Sequence, residues 1–386
     1  MIRLIRKILF FPIERYSFLL EKIFEQARKV LFIVNIWLFY REEMKQIKKN
    51  NINFRNNSTK KISTYEYKMK WSKLCRHINI DWYRLYSYVS GIENQDYVPR
   101  DIYLLIIEPR LNDMRLKYAY VDKNFYEKYF VDLYFPQVLL RDIRGVLYNG
   151  NYSLLKTKDA ADCFLNEQKV ILKPSMDSGC GKGVELFTKS NDGNLYNGRQ
   201  KLSLEYIESK LKRDWVMQKY IEQHEYFSQF NSTSLNTIRV YTYRSVKSND
   251  VVILHAILRM GREGAIVDNL VAGGIACKIN EEGFLNDYAV DKYGNKYFLY
   301  ANNNKFAEAR KVFKYSEIKS VAIQCAKEYL YYRVLGLDLC VDHEGKIKIV
   351  EINNYDIGIS FHQMAGDSLF KEYTDEVIEY CLNNGD

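Results

Sequence analysis

The chain has little of what disulfide scaffolds, zinc proteins and membrane-spanning proteins are built from. Its seven cysteines (75, 163, 180, 277, 325, 340 and 381) are odd in number, scattered and free of any CxxC pair. That usage argues against a disulfide framework and a zinc site, and for a reduced, cytoplasmic protein. The five histidines show no metal-ligand spacing and no GxSxG elbow occurs, so hydrolase chemistry lacks its usual residues. Apolar runs near the N-terminus are short, ILFF at 8–11 and VLFIVNIWLFY at 30–40. Neither approaches the roughly 20 residues that cross a bilayer. A secretory leader fits poorly too, because Pro12 and Glu14 follow the first run at once and no A-x-A-like site appears. There is no internal repeat and no low-complexity tract.

What is present is ordinary in bulk. The 386 residues suffice for two or three domains, and 47% apolar with 27% charged residues is usual for a soluble globular protein. The 33 tyrosines suit a sugar-binding protein, but Asn, Lys and Ile are abundant alongside them, and a genomic bias accounts for all four. Charge is more informative when divided. Residues 1–61 hold 14 Lys and Arg against 5 Asp and Glu, and 14 − 5 = +9 equals the net charge of the whole chain. The body is therefore balanced and is not a basic nucleic-acid binder. Two interpretations of the basic segment stay open. Its amphipathic helices pack on the body with solvated Lys and Arg, or they lie on an anionic membrane surface.

The stretch QIKKNNINFRNNSTKKIST (46–64) is polar and basic and predicts an exposed linker. YLLIIEP (103–109) predicts a strand closed by Pro109, and VDKNFYEKYF (121–130) has helical spacing. Beyond residue 140, KVILKP, VELFT, WVMQKYI, IRVYTYRS, VVILHAILRM, LDLCVD and KIKIVEIN predict short strands, with helices over 158–167 and 315–333. Such alternation fits an α+β fold of antiparallel sheets better than a doubly wound one.

Two segments carry chemistry. GLDLCVDHEGKIKIVEINN (336–354) predicts a hairpin. A two-residue loop at Glu344-Gly345 sets Asp342 opposite Ile347, Cys340 opposite Ile349 and Asp338 opposite Glu351, with Asn353 on the same face. Facing carboxylates repel, and a magnesium ion, which takes hard oxygen ligands, resolves the repulsion. An ordinary solvated hairpin face is the competing interpretation. VILKPSMDSGCGKGVELF (170–187) predicts strand, glycine-rich loop and strand. Gly179, Gly181 and Gly183 let backbone N–H groups approach a phosphate, with Lys173 and Lys182 supplying positive charge. The spacing is neither a Walker A nor a Rossmann fingerprint. A mobile hairpin tip is the alternative.

Taken together and in this order, the two segments resemble the ATP-grasp superfamily. The resemblance implies ATP and Mg2+ as cofactors, with Asp338, Glu351 and Asn353 as metal ligands. Lys173, Ser178, Gly179, Gly181, Lys182 and Gly183 would belong to the phosphate-covering hairpin. WVMQKYIEQHEY (215–226) looks like the hinge strand, implying Gln218, Lys219, Tyr220 and Ile221 around the adenine and Glu225 at the ribose. More narrowly, SLNTIRVYTY (234–243), LRMGREGAIVDNLVAGGIA (258–276) and the EINN ending resemble the sugar-transfer-associated ATP-grasp family, over about residues 131–386. That implies Arg259 as a catalytic residue and Arg239, Asp268, Asn269, Gly273 and Gly274 as substrate-binding positions. The lysine that many members place ahead of the glycine loop has no obvious counterpart. FPQVLLRDIRG (135–145) offers Gln137, Arg141 and Arg144, with Lys156 and Lys158 beyond, and Arg141 is the residue assigned to ATP.

The implied architecture is a basic helical segment and linker (1–61), a helical or mixed region (62–130), a subdomain with the glycine loop (131–222) and one with the magnesium hairpin (223–386). The implied reaction is carboxylate–amine ligation through an acyl phosphate. Its substrates would be a carboxylate and an amine from a uronic acid, amino acid or amino sugar precursor of capsular or exopolysaccharide, free or lipid-linked, handled in the cytoplasm or at the inner face of the cell membrane. A phosphotransferase acting on a sugar hydroxyl and an inactive ATP-binding regulatory module are the rivals.

Overall fold

The computed structural model describes residues 23, 27, 30, 31, 33–57, 63–118, 120–176, 181–198, 200–262, 264, 265, 268 and 273–384. Two seven-stranded antiparallel sheets dominate. In chain order the strands of the first are β1 (Val138–Ile143), β2 (Val146–Asn149), β3 (Lys169–Pro174), β4 (Glu185–Lys189), β5 (Leu195–Asn197), β6 (Gln200–Lys201) and β7 (Trp215–Lys219), arranged β2-β1-β7-β3-β4-β5-β6. Those of the second are β8 (Thr237–Arg244), β9 (Val251–Met260), β10 (Ile275–Ile279), β11 (Leu285–Val290) and β12 (Lys296–Tyr297). After a small hairpin of β13 (Leu299–Tyr300) and β14 (Asn304–Lys305), the second sheet is completed by β15 (Val334–Val341) and β16 (Ile347–Asn353), in the order β12-β11-β10-β9-β8-β15-β16. With helices segregated around antiparallel sheets, the fold is α+β.

Alternation along the strands assigns each sheet its faces. In the second sheet Ile238, Val240, Leu258, Leu337 and Leu339 point into a core shared with the helix Tyr315–Glu328. On its other face Tyr241, Tyr243 and Ile257 join a second core built with the N-terminal helical region. There the helix Ile80–Ser90 is fixed at both ends. The Asn79 side chain accepts from Asp81 N, and Gly91, at φ +78°, donates to Ser87 O. Its Trp82, Leu85 and Tyr86 are buried. Full burial of each such side chain contributes roughly 1.5–3 kcal/mol. The first sheet has one core, around Leu140, Val170, Leu172, Trp215 and Met217. Its opposite face carries Lys173, Val216 and Arg141, paired in one row across β3, β7 and β1.

Several local expectations give way. Residues 46–57 are no exposed linker: 46–50 continue a helix from 33, Ile52–Asn57 is helical, and Ile47 and Phe54 are buried. Each of those two apolar residues anchors its own helix in the core, and between the helices Asn51 accepts from Phe54 N and donates to Tyr293 O. Residues 58–62 of that stretch lie outside the described residues. YLLIIEP is helical: Tyr103–Ile107 forms a π-helical turn that continues into Glu108–Leu111. Pro109 lies within this continuous helical run, and the π-helical turn just before it falls where its missing N–H interrupts the α-helical bonding. Of 121–130 only Tyr126–Tyr129 is helical, and 158–167 holds two short 3₁₀ turns, Thr157–Asp159 and Ala161–Cys163.

Candidate active site

The β15–β16 hairpin closes through a longer loop than expected. Asp342 N donates to Lys346 O, Gly345 N donates to Asp342 O, and Gly345 takes φ +82°. The Asp342 carboxylate accepts from Glu344 N and Lys346 N, which favours the three-residue turn. The register near the turn is therefore shifted: Val341 pairs with Ile347, Cys340 with Lys348 and Leu339 with Ile349. Ile349 consequently faces the core rather than the carboxylates. A bulge at Val350 then takes up one residue, and Asp338 still pairs with Glu351.

Around that pair the sheet gathers charge. Asp338 is nearly inaccessible and accepts from Arg239 Nε and Nη2 at 2.7 Å each, a bidentate pair, and from Arg259 Nη1 at 2.7 Å. Burial works to raise the Asp338 carboxyl, but Arg239 and Arg259 outweigh it and hold it far below the usual carboxylate range. Arg259 Nη2 stands 3.5 Å from Asp268, which also accepts from the Thr237 hydroxyl. Burial raises the Asp268 carboxyl, with Arg259 opposing. Asn353 donates to Gly336 O at 3.1 Å and lies 3.5 Å from Asp338 Oδ2 through the same amide nitrogen.

Lys123, which the sequence did not single out, reaches this cluster from outside the sheet. Its Nζ is 2.8 Å from Glu351 Oε1, and its backbone N–H donates to Ser175 O, two residues beyond Lys173. One buried lysine thus ties the two sheets at the site. Burial pushes the Glu351 carboxyl up, yet the Lys123 ammonium, aided by Lys173, leaves it below the ordinary value. Lys173 is buried on the facing sheet. Desolvation first, then the neighbouring Lys123, bring its ammonium down to about 7. The sole local mark of Lys123 is an Asx turn, in which Asp122 accepts from Asn124 N.

The remaining expected residues divide into those near this cluster and those away from it. Gly181 and Gly183 adopt φ +69° and +76°, and a Cβ on Gly183 would come within 3.1 Å of Pro174; Lys182 between them is exposed. Ser178, Gly179 and Asn269 lie outside the described residues. Gln218 is buried on β7 and donates to Pro136 O at 3.4 Å. Lys219 pairs with Glu167 at 3.3 Å, Tyr220 has Lys169 over its ring, and Ile221 is buried. Glu225 is exposed at the start of the short helix Glu225–Ser228. The segment after β7 is bonded to the β15–β16 hairpin, His224 N to Val341 O and His343 N to Glu222 O. Gly273, at φ +99°, lies over Arg262, whose Nε donates to its carbonyl at 2.6 Å, and Gly274 is buried. Arg141 shares a row with Lys173 but is fully buried. Its guanidinium binds Asn124 O, Glu127 and Gly150 O and stacks on Tyr152. It supports the Lys123 turn from behind instead of opening toward the cleft. Arg144, Lys156 and Lys158 are exposed.

The donor set fits a magnesium ion. Glu351 Oε2 and Asn353 Oδ1 take part in none of the described hydrogen bonds, and Asp338 Oδ1, which accepts from Arg239 Nε, keeps one lone pair, whereas Oδ2 spends both on Arg239 and Arg259. Among the described residues no group of three or more His, Cys, Asp or Glu could hold a metal. An ion at this hairpin would accordingly draw its other ligands from phosphate and water.

Among solved structures, the chain is similar to the ATP-grasp ligase PsnB complexed with a precursor variant, Mg and ADP (14% identity, 70% of this chain and 62% of that one, TM-score 0.39). It is also similar to N5-carboxyaminoimidazole ribonucleotide synthetase from Thermotoga maritima (12%, 70% and 50%, 0.37) and to D-alanyl-alanine synthetase A from Vibrio cholerae (13%, 68% and 66%, 0.40). The chain spans half to 62% of the first two, and likeness at this level bears on neither substrate nor reaction. No curated protein matches. The model of the sugar-transfer associated ATP-grasp family matches residues 107–378, and the chain belongs to that family.

Proposed function

We propose that the chain is an ATP-dependent carboxylate–amine ligase acting on a sugar or amino-acid precursor of a surface polysaccharide. The observation that carries this reading is the convergence of Lys123, Lys173, Arg239 and Arg259 on Asp338, Glu351 and Asn353 where the two sheets meet. A carboxylate oxygen of the substrate attacks the γ-phosphorus of ATP, ADP leaves, and the acyl phosphate yields to an amine that loses a proton as phosphate departs. No side-chain nucleophile is required, so the protein's work is positioning and electrostatic stabilisation. Lys173 and Lys123 face the phosphates. Arg259, with an Nε that is buried without a hydrogen-bond partner, is suited to the transferring phosphoryl or acyl oxygen. Magnesium, held by Asp338, Glu351 and Asn353 when bound, neutralises phosphate charge. Gln218 to Ile221 frame the adenine in this reading, with Glu225 near the ribose and Asp268 and Gly273 toward the acceptor.

Incubation with Mg-ATP, pooled uronic and amino acids and hydroxylamine tests the reaction. Hydroxamate and ADP formed together support the ligase. A stable phosphosugar with ADP would replace it by the phosphotransferase. ATP binding without turnover would leave only a binding module. Glu351→Gln should abolish Mg-dependent turnover with the fold intact by circular dichroism; wild-type rates would overturn the metal assignment.

We further propose that the N-terminal helix contacts an anionic membrane. Val30, Leu31, Ile33, Val34, Trp37, Leu38 and Phe39 are all exposed, about half of each surface, whereas Tyr40, Met44 and Ile47 further along are buried in the body. At roughly 100° per residue, Val30, Leu31, Ile33, Val34, Trp37 and Leu38 fall on one side of the helix, the broad apolar face with which a helix lies on a membrane surface. No helix among the described residues is long and apolar enough to cross a membrane, so the contact is peripheral. Because residues 40–57 contribute to the core, the test substitutes rather than deletes. Val34→Glu with Leu38→Glu should lower flotation with phosphatidylglycerol vesicles several-fold, and unchanged flotation refutes the contact.

A further inference from the structure

A second cluster of arginines lies away from the nucleotide site, at the far end of the same two strands. Arg239 and Arg244 belong to β8, and Asp338 and Val334 to β15. Five residues of extended chain separate Arg239 from Arg244, roughly 17 Å. At that end Arg244 N donates to Arg333 O, so the two arginines are cross-strand neighbours. Like charges so placed are unfavourable unless something neutralises them. Arg110 and Arg115 join them around an open cavity of about 530 Å³, into which Asp113 and the half-exposed Tyr331 also project. Four arginines against one carboxylate leave 4 − 1 = +3 on its wall.

The one carboxylate is already taken. Asp113 accepts from Arg115 Nε at 2.9 Å and Nη2 at 2.6 Å. Among the described residues no carboxylate pairs with Arg110, Arg244 or Arg333, which are anchored on neutral oxygens instead. Arg244 Nη2 donates to Ala326 O and Lys327 O at the end of a helix, Arg333 Nη1 to Ser245 O and Asn249 Oδ1, and Arg110 Nη1 to Ile106 O. Each anchor fixes its guanidinium while leaving other N–H groups open. Arg244 Nε is buried behind the cavity wall without any hydrogen-bond partner, a state that costs free energy. Burial, then Arg333, lower the affinity of Arg244 for its proton. Fixed forks of this kind match phosphate oxygens bidentately, and the volume lies in the usual range for small-ligand sites.

We infer that this cavity, between the Pro109–Arg115 segment and the 330–333 turn, is a binding site for a phosphoryl group, carried by a small phosphate monoester or by free phosphate. It is separate from the site proposed for ATP, and does not depend on the ligase reading. Phosphate held here would bridge β8 and β15 at one end while Arg239 and Asp338 bridge them at the other.

The test uses the full chain saturated with Mg and a non-hydrolysable ATP analogue, so that the nucleotide site is occupied. Inorganic phosphate and glucose 1-phosphate are titrated calorimetrically against sodium chloride of equal ionic strength. Saturable binding is expected, weakened at least ten-fold by Arg244→Gln or Arg333→Gln and less by Arg333→Lys, which keeps the charge but loses the fork. Affinity for the nucleotide analogue should not move. Tighter binding of the sugar phosphate assigns the site to esters, and equal affinity to free phosphate. Absence of binding beyond the chloride control, or wild-type binding by the Gln variants, overturns the proposal. Should those variants fail to fold by circular dichroism, Arg110→Gln, at the rim and bonded only to backbone carbonyls, decides it by the same criterion.

Discussion

The two sheets bring opposite electrostatic conditions to the candidate active site. On the second sheet the charges are largely answered from within: Asp338 by Arg239 and Arg259, Asp268 by Arg259, and Glu351 by Lys123. On the first, Lys173 has no carboxylate of its own within ion-pair distance among the described residues, and its ammonium is penalised by burial and by Lys123. One half is assembled before any ligand arrives. The other holds positive charge in a place that becomes favourable only when an anion enters. For the phosphoryl transfer proposed above that division makes sense, because preorganised groups need no reorganisation at the moment of reaction, while an unanswered cation would attract a triphosphate.

The largest effect should come from breaking the assembled half. Asp338→Asn removes the charge that two buried guanidiniums share, and losing one partner of a buried ion pair typically costs about 3–5 kcal/mol. Urea denaturation should register a loss of that size. A loss under about 1 kcal/mol, the scale of exposed pairs, would mean that solvent already answers both arginines. Next in size, Lys173→Met should lower kcat for ATP turnover by about 10²–10³, the scale for removing one preorganised donor. In contrast to Asp338→Asn, it should leave the urea midpoint unchanged or raised, since the ammonium it removes is unfavourable in the folded chain. A lowered midpoint would show that both halves are internally satisfied and end the contrast.

How far this contrast can be read from sequence follows from the range of the interactions. Local patterns carried the strands: KVILKP, WVMQKYI and KIKIVEIN alternate because their sheets have distinct faces, and each is a strand. The pairing of Asp338 with Glu351 was legible for the right residues but through the wrong turn. Two compensating features, a longer loop tied by Asp342 and a bulge at Val350, leave that pair where the simple hairpin puts it. By contrast Lys123 was invisible, since it lies 228 residues from Glu351 and only the packing of two sheets brings them together. Residues 46–57 misled for a related reason. Lys, Asn and Arg outnumber Ile47 and Phe54, and a helix buried along a narrow stripe needs few apolar residues. YLLIIEP was misread because a short continuous apolar run has no period that separates a buried helix from a strand.

The finest probe of the contrast is proton uptake on nucleotide binding. With its ammonium at about 7, Lys173 is mostly neutral in the free protein at pH 8 and mostly charged at pH 6. A triphosphate beside it favours the charged form and so raises the value. Binding at pH 8 should then take up most of one proton at this lysine, about 0.9 if the bound group is fully protonated, and almost none at pH 6. The same displacement has a sign for stability. The folded group binds fewer protons than the unfolded one between about 7 and the ordinary 10.5, so its unfavourable contribution is full below that window and fades as pH rises through it. Calorimetry with a non-hydrolysable analogue in buffers of different ionisation enthalpy measures the uptake, and Lys173→Met should remove the pH 8 excess over pH 6. Equal uptake at both pH values, or an excess that survives the substitution, would place the titrating group elsewhere and leave Lys173 charged throughout, as well answered as Asp338.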